Sequence, residues 1–519
     1  MNTSEQFNQL MQKGYAFKGD AIVLGGAMLD GECAPQARVA VPLKTLNRHG
    51  LIAGATGTGK TKTLQLMAEG LSEKGVPSLL MDIKGDLSGL ARPGKHHPKI
   101  AERHARIGLP YEPRPFQTEF LSLSEEKGVR LRATVSEFGP ILFSKILGLN
   151  DTQSGIVAVV FKYCDDAGLP LLDLKDFKKV LQFLAGEGKA QIEETYGRLS
   201  KASIGTILRK VLELEQQGAD RFFGEKSFEV EDLLRTDDQG CGVISILRLA
   251  DIQDRPKLFS TFMLSVLAEI YSTFPEAGDL DKPRLAIFFD EAHLIFEKAS
   301  DALLSQIETI VKLVRSKGVG IFFCTQNPTD IPDAILSQLG LKVQHALRAF
   351  TAKDRKALKL AAENYPISPF YDTAELLTNL GIGEAAVTAL NEKGIPTPLA
   401  ATLLRAPRSR MGILTPQELD ACLVSSSLAP KYNRAIDRES AYELLNAKIE
   451  EFRQQATQPK GGGRSGGKTA RPAKGSLETF VDSPLVRQIG RTVARELTRG
   501  LLGVLGLGGR SRRSKKGWF

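Results

Sequence analysis

The segment GATGTGKT at Gly54–Thr61 constrains the fold most strongly, because an apolar run precedes it and a helical pattern follows it. Glycines at these spacings let successive backbone N–H groups face a phosphate, and the helix that follows directs the positive end of its dipole to the same place. Lys60 can reach the β- and γ-phosphates, and the hydroxyl of Thr61 can bind Mg²⁺. The segment therefore predicts a site for ATP and Mg²⁺. Its expected ligand-binding residues are Gly54, Ala55, Thr56, Gly57, Thr58, Gly59, Lys60, Thr61 and Lys62.

Two carboxylates, Asp290 and Glu291, follow the apolar run LAIFF. An acid at the end of a strand can hold Mg²⁺ opposite Thr61, and a second acid beside it can activate the water that attacks the γ-phosphate. Many small-molecule kinases with this type of phosphate loop lack the second acid, so the pair favours ATP hydrolysis over phosphate transfer. We therefore expect Asp290 to be a metal ligand and Glu291 to be the catalytic base.

Polar residues also end two further apolar runs. Gln326 follows GIFFCT and is the candidate sensor of the γ-phosphate if this strand is inserted between the lysine-bearing and acid-bearing strands. The alternative is a polar exit from the strand before the turn at Pro328. In VPSLLMDIKGD, the residues Asp82, Lys84 and Asp86 follow another apolar run. These three residues have two interpretations, because that edge of a parallel sheet binds ligands and also contains polar turns.

Short apolar runs alternate with helical patterns between residues 50 and 349. This alternation is typical of an α/β fold with a mostly parallel sheet covered by helices on both faces. A later stretch, GEAAVTALNEKGIPTPLAATLLR, predicts a hairpin with its turn near Glu392–Gly394. The expected segments are a short β-rich lead (1–40), the core (41–91 and 241–410, including the hairpin), a mostly helical insertion (92–240), C-terminal helices (411–456), a flexible linker (457–476) and a basic amphipathic helix and tail (477–519).

The net charge of +9 arises in the C-terminal region. From residue 460 onward, fourteen Lys and Arg face three Asp and Glu, so the remainder of the chain is close to neutral. Residues 484–506 place apolar side chains on one helical face and arginines on the other. Three interpretations fit this tail: packing on the protein's own body, peripheral binding to an anionic membrane through residues 484–519, or binding to nucleic acid.

Three features of the sequence indicate the cellular compartment of the protein. The five cysteines are scattered without paired spacing, which argues against a disulfide framework or a zinc site. The N-terminus lacks a signal-peptide pattern, and no apolar run is long enough to span a membrane. We therefore expect a cytoplasmic protein. The basic tail adds a second candidate location, which is peripheral contact with the inner face of the membrane.

Five segments together resemble the bacterial HerA-like ATPases of the YjgR type, in the HerA/FtsK branch of RecA-like P-loop ATPases. They are GATGTGKT, IKGDLSGLA, FFDEAHLIF, LVRSKGVGIFFCTQNPTDIPD and VQHALRAFTAKDRKAL. The last two are the most specific, and the resemblance spans about residues 15–455. It implies a RecA-like core. HerA itself carries a substantial β-barrel before this core, whereas about 40 residues precede the P-loop strand here.

The resemblance also implies an assembly and a function. Relatives in this branch form six-membered rings with nucleotide between neighbouring subunits, and several translocate double-stranded DNA. In such rings an arginine from one subunit neutralises charge on the γ-phosphate in the next. Arg348 is the favoured candidate and Arg315 the second, while the alternative for each is an ordinary surface arginine. The expected function is an ATP-hydrolysing motor, and the alternative is a switch or assembly factor for a protein or membrane partner.

Overall fold

The computed structural model describes residues 2–253, 255–297, 301–349, 351–434, 436 and 439–457. The described chain forms two compact units. The first unit runs up to Leu131 and includes Phe228–Arg434, and the second comprises Arg132–Ser227 and the described residues after 434. The tail predicted at 477–519 and all but the first residue of the predicted linker lie outside the described residues, so these remain predictions.

A twelve-stranded mixed sheet runs through the first unit. Its strands are β1 (Ala21–Leu29), β2 (Glu32–Pro42), β3 (Gly50–Ala53), β4 (Ser78–Asp82), β5 (Thr118–Ser122), β6 (Val129–Arg130), β7 (Ile244–Arg248), β8 (Leu285–Phe289), β9 (Val319–Thr325), β10 (Leu341–Gln344), β11 (Glu384–Thr388) and β12 (Ala400–Leu404). Their spatial order is β2-β1-β12-β11-β10-β3-β9-β8-β4-β7-β5-β6. The strands from β10 to β6 pair in parallel, and those from β2 to β10 pair antiparallel. The predicted mostly parallel sheet is therefore confirmed.

Helices connect the parallel strands and also form the second unit. The described α-helices are α1 (Thr3–Gly14), α2 (Lys60–Glu73), α3 (Pro98–Ile107), α4 (Val135–Ile146), α5 (Asp151–Ala167), α6 (Leu174–Ala185), α7 (Lys189–Tyr196), α8 (Lys201–Gln216), α9 (Pro256–Thr273), α10 (His293–Glu297), α11 (Asp301–Val314), α12 (Asp333–Leu336), α13 (Ala352–Glu363), α14 (Thr373–Asn379), α15 (Pro416–Val424), α16 (Ala429–Tyr432) and α17 (Ala441–Thr457). Within the part of the chain that the structure describes, no helix is both long and apolar enough to cross a membrane.

The central strands β3, β4, β8 and β9 are buried at every position. Phe288 and Phe322 stack with ring centroids 4.7 Å apart, and Phe289 and Phe323 stack with centroids 5.5 Å apart. Because successive side chains of a strand point to opposite faces, these two pairs pack on opposite faces of the sheet. Strands buried on both faces are covered by other elements on both sides. Their parallel pairing brings their C-terminal ends to one edge.

The N-terminal lead contains a helix, α1, which the prediction of a β-rich segment at 1–40 missed. Asn2 and Glu5 form a capping box at the start of this helix, and Phe7 and Met11 are buried beneath it. The capping residues were a readable signal in the sequence. β1 and β2 form a hairpin, and β1 also pairs with β12, so the lead is part of the same sheet as the core.

Strands β5 and β6 lie within 92–240, a stretch expected to be mostly helical. β5 pairs in parallel with β7, so this part of the chain extends the sheet. The strand was missed because Glu119 interrupts a short apolar run. Glu119 is only 3% exposed, and its carboxylate accepts a hydrogen bond from Nη2 of Arg235 at 2.8 Å, which makes a charged residue tolerable inside the strand.

The predicted hairpin at the end of the core is confirmed, because β11 and β12 pair antiparallel. Its loop is closed by a hydrogen bond from Asn391 N to Ile395 O at 2.8 Å. β10, in contrast, ends at Gln344, although the apolar run predicted a strand that continues to residue 349. Beyond it the O atom of Ala346 accepts a hydrogen bond from Ala55 N at 2.8 Å, so the chain turns towards the glycine-rich loop.

The second unit is built from α4 to α8 and α17. Phe143 and Phe177 meet edge to face inside it, with ring centroids 4.9 Å apart. Asp176 on α6 is buried, and its carboxylate accepts a hydrogen bond from Tyr442 N at 2.9 Å. This bond ties α17 to α6, so helices from two distant parts of the sequence share one core.

Candidate nucleotide site

The glycine-rich loop joins the C-terminal end of β3 to the first residue of α2. Gly54, Gly57 and Gly59 have φ angles of 151°, 79° and 118°, a region that favours glycine because it has no Cβ. The loop is closed by the hydroxyl of Thr58, which donates to the O atom of Ala55 at 2.7 Å. The predicted strand–loop–helix arrangement is thus present, with the N-terminus of a fourteen-residue helix at its end.

Gly54 has no room for a side chain. A Cβ at this position would lie 2.5 Å from Cβ of His345, which follows β10. His345 is fully buried, and burial, assisted by the charge of Lys60, lowers its pKa to about 4. Its Nε2 lies 2.8 Å from the hydroxyl of Thr63 on α2. A neutral histidine therefore contacts both the loop and the helix, a role that no motif in the sequence indicates.

Lys60 is 5% exposed, and its Nζ donates to the O atom of Ala55 at 3.2 Å. Burial lowers the pKa of Lys60, and the nearby charge of Lys84 lowers it further. Glu291 and Asp290 act in the opposite direction. These electrostatic interactions exist because only β9 separates β3 from β8, so the lysine and the acids emerge at one edge of the sheet.

Residues around Lys60 complete the loop. Thr56 and Gly57 are exposed at its tip, and Thr61 is half-buried at the start of α2. The Nζ of Lys62 donates to the O atom of Met411 at 2.6 Å. Lys62 is thereby held against the segment after β12. Thr61, the predicted metal ligand, lies in the first turn of α2.

Glu291 has partners at both oxygens of its carboxylate. The Nζ of Lys84 contacts Oε1, Nε2 of Gln326 donates to Oε2 at 3.4 Å, and Nδ1 of His293 lies 3.2 Å from Oε2. Burial opposes ionisation, but the hydrogen bond and the charge of Lys84 lower the pKa of Glu291. Its φ of 48° is unusual for a residue with a side chain. The structure therefore brings Gln326, Lys84 and His293 together around Glu291, a set of contacts that the sequence did not predict.

Three acids form a cluster beside this carboxylate. Asp82, Asp86 and Asp290 each place one carboxylate oxygen within 4.8 Å of the others. Asp290 is 1% exposed, and its Oδ2 lacks a hydrogen-bond partner among the described residues. Burial raises the pKa of Asp290 to about 7; Lys84 opposes this shift, while Glu291 and Asp86 add to it. Unsatisfied carboxylate oxygens in such a cluster fit a hard divalent cation such as Mg²⁺.

The turn after β4 is shaped by Asp82, which is one of the two interpretations that the sequence left open, and its other charged residues interact with the acids at the end of β8. The carboxylate of Asp82 accepts hydrogen bonds from Gly85 N at 2.8 Å and Leu87 N at 3.2 Å, so this acid shapes the turn. Burial raises the pKa of Asp82 to about 6. Lys84 and Asp86, which the turn presents, interact with the acids at the end of β8.

Over residues 28–513 the sequence matches the protein family described as Helicase HerA-like C-terminal. This chain belongs to that family. The resemblance inferred from the motifs is therefore confirmed. The HerA-like chain is 23% identical over 355 residues to the DNA double-strand break repair helicase HerA of Saccharolobus solfataricus, covering 67% of this chain and 63% of the relative. It is 22% identical over 370 residues to the helicase HerA of Sulfolobus acidocaldarius, covering 69% and 66%.

These matches span slightly less than two thirds of the length of the two curated HerA relatives. Among solved structures, the HerA-like chain is similar to the bacterial conjugative coupling protein TrwBdeltaN70, with a TM-score of 0.48 and 14% identity over 78% of this chain and 94% of that chain. It is also similar to VirB4 of Thermoanaerobacter pseudethanolicus, with a TM-score of 0.44 and 17% identity over 78% and 99%.

The two candidate arginines lie at opposite edges of the sheet in this HerA-like chain. Arg348 is exposed beyond the C-terminal end of β10, and its Nη1 donates to the O atom of Thr378 at 3.1 Å, so one side of the guanidinium is anchored. Arg315 is exposed in the turn before β9, and the charge of Arg48 acts on it. Since β3 and β9 are parallel, Arg315 lies at the edge opposite to the glycine-rich loop of its own chain.

Proposed function

We propose that this chain binds ATP with Mg²⁺ at residues 54–62 and hydrolyses it as a ring-forming motor of the HerA/FtsK type that acts on double-stranded DNA. The observation that carries the hydrolytic part is the convergence of Lys60, Asp290 and Glu291 at one edge of the sheet, with Oδ2 of Asp290 buried and unpartnered within the described chain. Membership of the HerA-like family supports the proposal that the chain is a motor. The proposal that the motor moves along double-stranded DNA rests on the names of the relatives.

In the proposed reaction the oxygen of a water molecule attacks the γ-phosphorus, and the bond from that phosphorus to the β,γ-bridging oxygen breaks. The electron pair of that bond goes to ADP, and the proton of the water goes to the carboxylate of Glu291 before release with phosphate. Lys60 and the loop amides hold the phosphates. Mg²⁺, when bound through Thr61 and Asp290, supplies charge neutralisation of the phosphate oxygens.

The partners of Glu291 give this proposal a further constraint. Lys84 contacts one of its oxygens, while Gln326 and His293 lie against the other. A general base needs an oxygen that faces the attacking water. Each carboxylate oxygen has two lone pairs, so the water needs one that these partners leave free. The exposed Lys84 is the partner that can free a further site, because its side chain can turn towards the γ-phosphate when ATP is bound.

Double-stranded DNA is expected to raise the ATPase rate of the full chain several-fold, because a motor on DNA couples hydrolysis to contact with its track. The measurement is steady-state phosphate release with and without duplex DNA, from 50 to 200 mM salt. The stimulation should fall steeply over this range, since each phosphate contact contributes about −0.9 to the log–log salt slope. In parallel, mass measurement should give about six times the 56.5 kDa of one chain.

The control for the DNA experiment is the Glu291→Gln chain, which should bind the same duplex without stimulation of phosphate release. Hydrolysis that is indifferent to duplex DNA, combined with binding to anionic vesicles, would contradict the DNA track. That result would favour a switch or assembly factor for a membrane partner. The near-neutral charge of the chain before residue 460 is the observation that keeps this alternative in the test.

Mixing Lys60→Ala chains with Arg348→Ala chains is expected to restore part of the ATPase activity that each variant lacks alone. If Arg348 completes the site of the neighbouring subunit, a mixed ring contains interfaces with both an intact Lys60 and an intact Arg348. The measurement is phosphate release after co-assembly, with mixed rings verified by two affinity tags.

Arg209→Ala is the matched control for the arginine experiment, because Arg209 is an exposed arginine on α8 and its replacement should leave activity unchanged. A parallel mixture with Arg315→Ala tests the second candidate. If verified mixed rings recovered no activity, Arg348 would be removed from the proposed site. If only the mixture of Lys60→Ala with Arg315→Ala chains recovered activity, the role would be assigned to Arg315.

A further inference from the structure

The turn at residues 380–384, between α14 and β11, touches the glycine-rich loop directly. Gly383 N donates to the O atom of Thr58 at 2.9 Å. A Cβ on Gly59 would lie 3.4 Å from the backbone of Gly383, so the two chains are in contact there. The residue before Gly383 is Ile382, whose side chain is 74% exposed. An exposed apolar side chain thus stands one residue from a contact with the phosphate-binding loop.

Hydrogen bonds hold this turn in one conformation. Arg103 on α3 donates from Nη2 to the O atom of Ile382 at 3.0 Å and from Nη1 to the O atom of Gly383 at 2.9 Å. The carboxylate of Glu384 accepts a hydrogen bond from Gly381 N at 2.7 Å. Gly383 has a φ of 72°, which favours glycine. The backbone that carries Ile382 is therefore fixed before any ligand arrives, which lowers the entropic cost of a contact.

The order of the strands gives the direction in which a bound nucleotide extends. In the proposed function the reacting γ-phosphate faces Asp290 at the end of β8, and β8 lies on one side of β3, beyond β9. The phosphate chain runs from this end across the loop to the first turn of α2. The nucleoside must leave from the far end, on the other side of β3. That side is formed by β10 and β11, and the turn at 380–384 leads into β11.

We propose that Ile382 is the apolar platform on which the purine base of the bound nucleotide rests. This inference deepens the proposed function and depends on it. The exposure of Ile382 alone would not support this proposal, because single apolar residues are common on protein surfaces. Ile367, for example, is 99% exposed. The distinction is position: the turn of Ile382 contacts the phosphate-binding loop, on the side to which the nucleoside is directed.

The chemistry of the turn also indicates how selective this contact is. Two charged side chains at this turn are engaged by its backbone, since Arg103 is bonded to backbone oxygens and Glu384 to a backbone N–H. An aliphatic side chain offers a purine a flat apolar contact without reading its hydrogen-bonding edge. We therefore expect ATP and GTP to bind with affinities that differ by less than about threefold, equivalent to under about 0.7 kcal/mol.

The test compares ligands that share the phosphates and differ in the base. Isothermal titration calorimetry on the full chain measures ATP, GTP and inorganic tripolyphosphate, each with Mg²⁺. Ile382→Ser should weaken both nucleotides by roughly fivefold to tenfold, because it removes most of one apolar contact. It should leave the affinity for tripolyphosphate unchanged. Ile382→Leu, which keeps the apolar surface, should bind all three ligands like the unaltered chain.

Ile367→Ser is the matched control, since it makes the same change at an exposed isoleucine in the same unit. Equal weakening of tripolyphosphate and ATP by Ile382→Ser would overturn the platform and assign the effect to the loop. An ATP affinity of Ile382→Ser equal to that of the unaltered chain would also overturn the platform, whether or not the mass of the assembled ring changed. If the unaltered chain bound neither ATP nor tripolyphosphate, the proposed function itself would fail, and that result is distinguishable from both.

Discussion

Glu291→Gln is expected to lower kcat for ATP hydrolysis by about 10²- to 10³-fold, which corresponds to roughly 3–4 kcal/mol in the activation barrier. The amide has nearly the shape of the carboxylate but cannot accept the proton of the attacking water. ATP affinity should change by less than about threefold, because the phosphates are held by Lys60 and the loop amides. The measurements are single-turnover phosphate release and equilibrium binding of a fluorescent ATP analogue.

The matched control for this variant is Glu363→Gln, because Glu363 is an exposed glutamate at the end of α13. It should hydrolyse ATP like the unaltered chain. A Glu291→Gln chain that hydrolysed ATP at the normal rate would remove Glu291 as the catalytic base. A chain that lost both hydrolysis and binding would instead indicate that Glu291 supports the site through its contact with Lys84.

The parts of the fold that depend on local pattern were readable from the sequence. The glycine-rich loop, the apolar run before Asp290 and the hairpin at β11 and β12 each carry their signal within about 20 consecutive residues. The order of β3, β9 and β8 is not contained in this local pattern; the insertion of β9 between the other two strands is an observation of the structure. These elements place Lys60 and the two acids at one edge, as expected.

The remaining features depend on contacts between residues far apart in the sequence. β5 was missed because Glu119 needs Arg235 to be tolerated inside a sheet. The role of His345 appears only when β10 lies beside β3, since its partner is on α2. The contact of Gly383 with the glycine-rich loop depends on a turn more than 300 residues later in the chain. Neither the periodicity of the apolar residues nor the amino-acid composition contains this information.

Glu291 shows the same limit at the level of backbone conformation. Its φ of 48° is adopted by few residues with side chains and costs on the order of 1–3 kcal/mol. The neighbouring backbone fixes it, because Ala292 N donates to the O atom of Cys324 at 2.8 Å. The sequence identified this acid by its place after a strand, but not the conformation that turns its side chain towards Lys84 and Gln326.

Lys60→Ala is expected to weaken ATP binding by about 10- to 100-fold, since a hydrogen bond to a charged group contributes roughly 1.5–3 kcal/mol. Hydrolysis should fall with it, because the lysine also stabilises charge on the γ-phosphate. The fold should persist, because Nζ of Lys60 makes one hydrogen bond to the O atom of Ala55 in the absence of ligand. The variant thereby separates ligand binding from folding.

The measurement for Lys60→Ala is the melting temperature with and without ATP and Mg²⁺. A ligand that binds only the folded state stabilises it by RT ln(1 + [L]/Kd), so the weakened variant should lose most of the ATP-induced rise in Tm while its ligand-free Tm stays close to that of the unaltered chain. Lys359→Ala, at an exposed lysine on α13, is the matched control and should keep the full rise. An ATP-induced rise in Lys60→Ala equal to that of the control would mean that the triphosphate binds elsewhere. The roles of Asp290 and Glu291 would then lose their reaction partner, because both roles require the triphosphate to be held at this loop.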